Sequence, residues 1–134
     1  MKIILDTETI RMINLFESVT HLSVKDCLIF DDVVFFLLEE GQVVKNNDLI
    51  KILERTMKKR IKIFTYNSNL MEFLRRSIKG AKEIKIRNEK DKKTVEVSIN
   101  DAYKSLVIGK NGRTINAFRK FLKRNYNVDE VVIK

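Results

Sequence analysis

The sequence predicts an α+β protein in which two small units of the same kind follow one another. The spacing of apolar residues predicts the order helix, strand, strand, helix, strand in each half of the 134-residue chain. When the two halves of the sequence are aligned with each other, apolar positions also coincide with apolar positions and basic positions with basic ones. Hydrophobic residues make up 44% of the chain, which is enough for packed cores and excludes a fully disordered protein.

The first half begins with a helix signal at Asp6, a residue that caps helices well. Ile10, Ile13 and Phe16 then recur at helical spacing and should face a core. Four more elements follow: strands over 28–30 and 33–38, a helix over 49–57 and a strand over 60–63.

The second half opens with Asn69 and Glu72, which have the spacing of a capping box. The helix that they start should end at Gly80. The remaining pattern predicts strands over 84–87 and 95–99, a short helix from about 101, a longer helix after 112 and a strand over 131–133.

A shift of 65 residues supports a repeat, because it places Lys45-Asn46 on Lys110-Asn111 and Leu53 on Phe118. Any two amphipathic helices match at some shift, but the shared strand order and the identical Lys-Asn pair favour duplication. We therefore predict two domains, 1–66 and 67–134.

Charge is distributed unevenly between the two halves. The chain has 27 Lys and Arg against 18 Asp and Glu, a net charge of +9. Residues 1–44 carry three basic and eight acidic side chains, whereas residues 67–134 carry seventeen basic and eight acidic ones. A one-sided basic excess indicates a polyanion-binding surface. A solvated charged surface without a partner is the alternative.

Several classes of function find no support in the sequence. The longest apolar run, 33–38, is too short for a membrane helix, and the pattern of the first residues predicts no secretory leader. One histidine, His21, and one cysteine, Cys27, cannot form a disulfide or a typical zinc site. No P-loop or nucleophile–base set is present. We expect a cytoplasmic protein that is not an enzyme and has no catalytic residue, metal, cofactor or small-molecule substrate.

The most informative motif is Gly109-Lys110-Asn111-Gly112 between two predicted helices. Two glycines let the chain turn sharply and let a backbone approach closely. The amide groups at the start of the next helix favour a phosphate, and Lys110 and Arg113 add positive charge. Ile108 and Ile115 could form an apolar floor under bases. The motif is therefore typical of a grip on single-stranded RNA or DNA.

A Gly-x-x-Gly loop that clamps a nucleotide backbone is the signature of KH domains. The chain resembles two tandem KH domains of the prokaryotic type, type II, and in particular the short archaeal NusA proteins. Five stretches carry the resemblance: 6–11, 24–27, 39–41, 106–116 and 128–133. The resemblance implies the order helix–strand–strand–helix–helix–strand in each half, with a three-stranded sheet covered by helices. It also implies an RNA-binding factor in transcription termination or antitermination.

The first half departs from this family, because its loop would be Val44-Lys45-Asn46-Asn47, without glycine. A β-branched residue such as Val44 resists positive φ, and Asp48 stands where the second half has Arg113. We predict that the first domain has a degenerate loop, binds RNA weakly and mainly positions the second. Glycines restored at positions 44 and 47 should raise affinity if only the loop is defective.

The predicted nucleic-acid site therefore belongs to the second domain, and the expected partner is single-stranded RNA. The acidic segment 1–44 is expected to meet a protein such as RNA polymerase. Phe118 and Phe121 are interpreted as core residues, since they share helical spacing with apolar neighbours. The alternatives are a KH protein of ribosome assembly or RNA decay, a basic protein-interaction module and, more remotely, a small nuclease. The predicted site comprises Ile108, Gly109, Lys110, Asn111, Gly112, Arg113 and Ile115.

Overall fold

The structure, a computed structural model, describes residues 5–134. The elements before Ser68 are α1 (Thr7–Thr20), β1 (Val24–Phe30), β2 (Val33–Leu38), α2 (Asn47–Met57) and β3 (Arg60–Thr65). Those after it are α3 (Leu70–Ser77), β4 (Ala81–Glu89), β5 (Lys92–Ile99), α4 (Asp101–Ile108), α5 (Arg113–Tyr126) and β6 (Glu130–Ile133). A single 3-10 turn, Lys110–Gly112, separates α4 from α5.

The chain divides into two compact units, one ending at Ser68 and the other spanning Asn69–Lys134. Each unit contains one three-stranded sheet, with the strand orders β1-β2-β3 and β4-β5-β6. In both sheets the middle strand is antiparallel to the first strand and parallel to the third. The α+β class with two three-stranded sheets is thus confirmed, while the KH identity of the first unit stays a prediction.

The helix order expected from the resemblance is wrong for the first unit. The second unit has two helices, α4 and α5, between its second and third strands, but the first unit has only α2 there. Residues 39–46 form no helix. Gly41 interrupts this segment at a φ of +82°, and only Val43 and Val44 are apolar, so a helix would have no apolar face to bury.

The core of the first unit forms between α1, α2 and one face of β2. The rings of Phe16 and Phe36 lie 4.3 Å apart at its centre, and Leu53 of α2 is fully buried. Asp6 starts α1 as predicted, since its carboxylate accepts a hydrogen bond from the amide of Thr9 at 2.7 Å. Cys27 is buried, consistent with its interpretation as a small apolar residue.

The core of the second unit is built around α3 and α5. Phe73 of α3 stacks on Phe118 with 5.6 Å between ring centroids and also contacts Tyr126 at 4.9 Å. Phe118 and Phe121 are 3% and 0% exposed, which confirms that they are core residues rather than platforms for bases. This packing fixes α5, and with it the turn that precedes α5.

Candidate nucleic-acid interface

The turn between α4 and α5 begins at Gly109, which has φ +78° and ψ 170°. Only glycine adopts this region without strain. The Gly109 amide donates to the carbonyl of Ser105 at 2.9 Å and closes α4. Space is limiting too, because a Cβ at this position would lie 2.9 Å from Cβ of Thr114. The first glycine of the motif is therefore required by backbone conformation and by packing.

Two of the three remaining residues of the turn also have a positive φ. Asn111 has φ 56° and ψ 24°, and Gly112 has φ 73° and ψ 14°. The Gly112 amide donates to the carbonyl of Gly109 at 3.1 Å, which closes a tight turn. Asparagine is one of the few residues that tolerate this conformation, so Asn111 suits its position.

The start of α5 differs from that of every other α-helix in residues 5–134. A side chain caps each of the other four helices by accepting a hydrogen bond from a first-turn amide; these caps are Asp6, Asn46, Asn69 and Asn100. Gly112 stands at the cap position of α5 and offers no side chain. The positive end of the helix dipole at α5 therefore lacks the capping oxygen that the other helices have. An anionic oxygen would supply it.

The predicted site residues occupy different environments. Lys110 and Asn111 are exposed, and Arg113 is half-buried. Ile108 is 38% exposed, whereas Ile115 is 5% exposed and belongs to the core below the turn. Ile108 can thus touch a ligand, and Ile115 supports the turn from beneath.

Sequence reasoning assigned no role of its own to Leu106, which is 55% exposed one turn before the glycines. No residue of α4 is buried, although four of its eight residues are Tyr, Leu, Val and Ile. A helix that is largely apolar but buries no residue leaves apolar surface open beside the turn. The apolar composition of α4 was the signal in the sequence for such a surface, but only the structure shows that these side chains are exposed.

The corresponding loop of the first unit has a different conformation. None of the residues 44–47 has a positive φ, whereas three of the four residues 109–112 do. Asn46 caps α2 through its side chain, which accepts from the amide of Asp48 at 2.9 Å. Both a glycine turn and an uncapped helix start are therefore missing from the first unit.

Charge near the second-unit turn is partly neutralised by ion pairs. Lys104 lies 3.1 Å from Asp101, and its hydrogen bond lowers the pKa of that carboxyl. Several cations of the β4–β5 hairpin also face carboxylates: Lys85 with Glu83, Arg87 with Glu96 and Lys92 with Glu130. Lys110 forms no ion pair within residues 5–134, so its charge is available to a ligand.

Two features of other protein classes are absent from the described residues. No group of three or more His, Cys, Asp or Glu side chains among residues 5–134 is arranged to hold a metal ion. In the same part of the chain, no helix combines the length and the apolar character that crossing a bilayer requires.

Known proteins resemble this chain along its whole length. The KH domain family matches residues 69–134. A probable transcription termination protein NusA of Thermoplasma acidophilum is 26% identical over 139 residues, covering 99% of this chain and 96% of that protein. The corresponding protein of Methanocaldococcus jannaschii is 24% identical and covers 98% of this chain and 75% of that protein. The crystal structure of APE1850 matches with a TM-score of 0.75 and 27% identity, over 97% of this chain and 100% of that one.

Proposed function

Because the chain is a NusA-like KH protein, we propose that it is an RNA-binding transcription factor whose Gly109–Gly112 turn grips single-stranded RNA. The KH domain and the NusA-like relatives indicate a binding factor rather than an enzyme. The observation that carries the proposal is the uncapped start of α5 directly behind a glycine turn with an exposed Lys110.

The proposed grip follows from the chemistry of the turn. A phosphate oxygen is favoured at the start of α5 by the positive end of the helix dipole, although the Arg113 amide already donates to the carbonyl of Lys110. Gly109 and Gly112 leave room for the RNA backbone, and Lys110 supplies a cation for the adjacent phosphate. Leu106 and Ile108 offer apolar contact to unstacked bases, which single-stranded RNA presents and a duplex does not.

The role in transcription is proposed from the relatives, which are named as probable transcription termination proteins. We place this chain in termination or antitermination, with RNA polymerase as its protein partner. Residues 1–44 have a net charge of −5, so they do not compete with the basic second unit for RNA. The first unit acts as a degenerate KH domain that positions the second.

The test compares two double variants by RNA-binding anisotropy across a salt series. Lys110→Asp with Asn111→Asp places two carboxylates in the turn, and aspartate tolerates the left-handed conformation of Asn111. The matched control is Lys45→Asp with Asn46→Asp, which changes the charge equally at the corresponding loop and keeps a capping side chain on α2.

We expect the variant at 110 and 111 to lose about tenfold or more in affinity, about 1.4 kcal/mol, and the control to lose less than about threefold, about 0.65 kcal/mol. Circular dichroism checks that both remain folded. Equal losses would assign binding to overall charge rather than to the turn. No RNA binding by the wild type would favour a protein-interaction module. Co-purification after nuclease treatment, with polymerase or with ribosomal subunits, separates transcription from ribosome assembly.

A further inference from the structure

A second strongly basic surface lies on the first unit, where α2 ends and β3 begins. We call it the α2–β3 corner and define it by five cations: Lys51, Arg55, Lys58, Lys59 and Arg60. They line a cavity of about 770 Å³ together with only two acidic residues, Asp32 and Glu54. No apolar side chain lines this cavity.

Three of the cations form a stripe along α2. Lys51 and Arg55 are four residues apart and share one face of α2, Lys58 follows as the residue that caps the end of the helix, and all three are exposed and line the same cavity. None of them forms an ion pair within residues 5–134. Glu54, which lines the same cavity, is already engaged, since its carboxylate accepts from the amide of Ile61 at 2.9 Å.

The same corner of the second unit is closer to neutral, because Arg119, Lys120 and Lys123 lie there beside Asp129 and Glu130. Arg60 pairs with Val33 at the first position of β3, and Glu130 pairs with Thr94 at the first position of β6. Arg60 and Glu130 therefore occupy equivalent positions in the two sheets. Two close ion pairs neutralise the cations there: Lys123 with Asp129 at 2.6 Å and Lys92 with Glu130 at 2.8 Å. The two units therefore share a topology but not this charge arrangement, so the fold itself does not require a positive corner.

The residue that caps the end of the helix differs in charge between the two units. Lys58 caps the end of α2 in the left-handed region, with φ 57° and ψ 38°, where glycine or asparagine is favoured. The equivalent cap of α5 is Asn127, with φ 56°. The end of α2 therefore carries a cation where the end of α5 carries a neutral amide.

We propose that the α2–β3 corner is a second contact for the RNA phosphate backbone, independent of any glycine turn. This inference rests on the proposed function. α2 has 11 residues and is about 16 Å long, so Lys58, Lys59 and Arg60 lie at the opposite end of the helix from residues 44–47, and Lys51 and Arg55 lie between the two ends. A phosphate backbone needs only cations for recognition. An acidic protein partner would also need apolar anchors, and none of the described residues that line the corner is apolar; the exposed Ile52 of α2 lies outside that lining.

The test removes the stripe without disturbing the helix, by the triple variant Lys51→Gln, Arg55→Gln and Lys58→Gln. Glutamine keeps helix propensity and chain length. The control removes the same number of charges from cations that already face carboxylates, by Arg75→Gln, Arg76→Gln and Lys134→Gln. Affinity is measured against RNA of about 20 and of about six nucleotides, because a four-nucleotide clamp leaves a six-mer little backbone for a second contact.

We expect the stripe variant to bind the longer RNA about tenfold more weakly and the control to remain within about threefold of wild type. The salt dependence of the longer RNA should also flatten, with the slope falling by about 2, since each lost phosphate contact contributes about 0.7. The six-mer should bind both variants like wild type. Photocrosslinking of thiouridine-substituted RNA should label the peptide 51–60.

Unchanged affinity and salt slope in the stripe variant would overturn the corner contact. The proposed function would still stand in that case, provided that the variant Lys110→Asp with Asn111→Asp loses RNA binding in the same assays. Absence of RNA binding by the wild type would overturn both. Loss of binding to polyglutamate but not to RNA in the stripe variant would assign the corner to an acidic protein and equally overturn the proposal.

Discussion

Lys93 and Asp129 are joined by two hydrogen bonds that run in opposite directions. The Lys93 amide donates to Oδ2 of Asp129 at 2.8 Å, and the Asp129 amide donates to the Lys93 carbonyl at 2.8 Å. Lys123 also donates to Oδ1 of the same carboxylate at 2.6 Å. One aspartate thus connects the ends of α5, β5 and β6.

These contacts predict a pH dependence of stability. The hydrogen bond from Lys123, followed by that from the Lys93 amide, holds the pKa of Asp129 below its usual value. Since the pKa is lowered in the folded state, the stabilisation is present above the unfolded pKa of about 3.9. It is lost as the pH falls through the folded pKa. Asp129→Asn should therefore lower the melting temperature at pH 7, and the difference from wild type should shrink below about pH 4.

Thermal unfolding between pH 2.5 and 7 measures this effect. Asp91→Asn is the control, because Asp91 is exposed in the β4–β5 turn at φ 64°, a conformation that asparagine also adopts. A constant difference between Asp129→Asn and wild type across the whole pH range would contradict a role for the ionised carboxylate.

Gly109→Ala should destabilise the protein by about 1–3 kcal/mol, because its backbone conformation is nearly restricted to glycine and its Cβ would press on Thr114. It should also weaken RNA binding. Gly41→Ala is the control, with a similar φ of +82° but no atom within 4 Å of the added Cβ. Urea unfolding and anisotropy measure both effects. A cost for Gly109→Ala no greater than that for Gly41→Ala would argue against the close packing of the turn.

Glycines introduced at Val44 and Asn47 should not create a second RNA site. The first unit also lacks a helix before its loop, and Asn46 caps α2 where the second unit leaves α5 uncapped. The measurement is the RNA affinity of Val44→Gly with Asn47→Gly, made in the background of Lys110→Asp and Asn111→Asp. A gain in RNA affinity of tenfold or more would show that the loop residues alone prevent the first unit from binding RNA.

Phe118→Leu should lower the free energy of unfolding without changing the RNA affinity of the folded protein. The ring of Phe118 stacks on Phe73 and is 3% exposed, so it is out of reach of a base. Aromatic stacking alone contributes about 0.5–1.5 kcal/mol. Urea unfolding and anisotropy at low temperature separate the two effects. A selective loss of RNA affinity in a fully folded variant would assign base stacking to Phe118.

Local signals in the sequence predicted most of the secondary structure. The helices α1 and α3 begin directly after Asp6 and Asn69, as the capping preferences of these two residues predicted, and β2 occupies the predicted 33–38. These features depend on residues close together in the chain, so composition and spacing are sufficient. The error was the second helix expected in the first unit, which came from the family pattern rather than from residues 39–46 themselves.

The sequence by itself determined the repeated element order, the one-sided charge and the single Gly-x-x-Gly motif. Tertiary structure decided which of the motif's neighbours are accessible: Ile115 is buried under the turn, while Leu106 and Ile108 are exposed. It also decided that ion pairs partly neutralise the corner of the second unit, whereas the α2–β3 corner keeps a stripe of cations without ion pairs within residues 5–134. Exposure and ion pairing depend on residues distant in sequence, such as Lys92 and Glu130, whose proximity only the paired strands create.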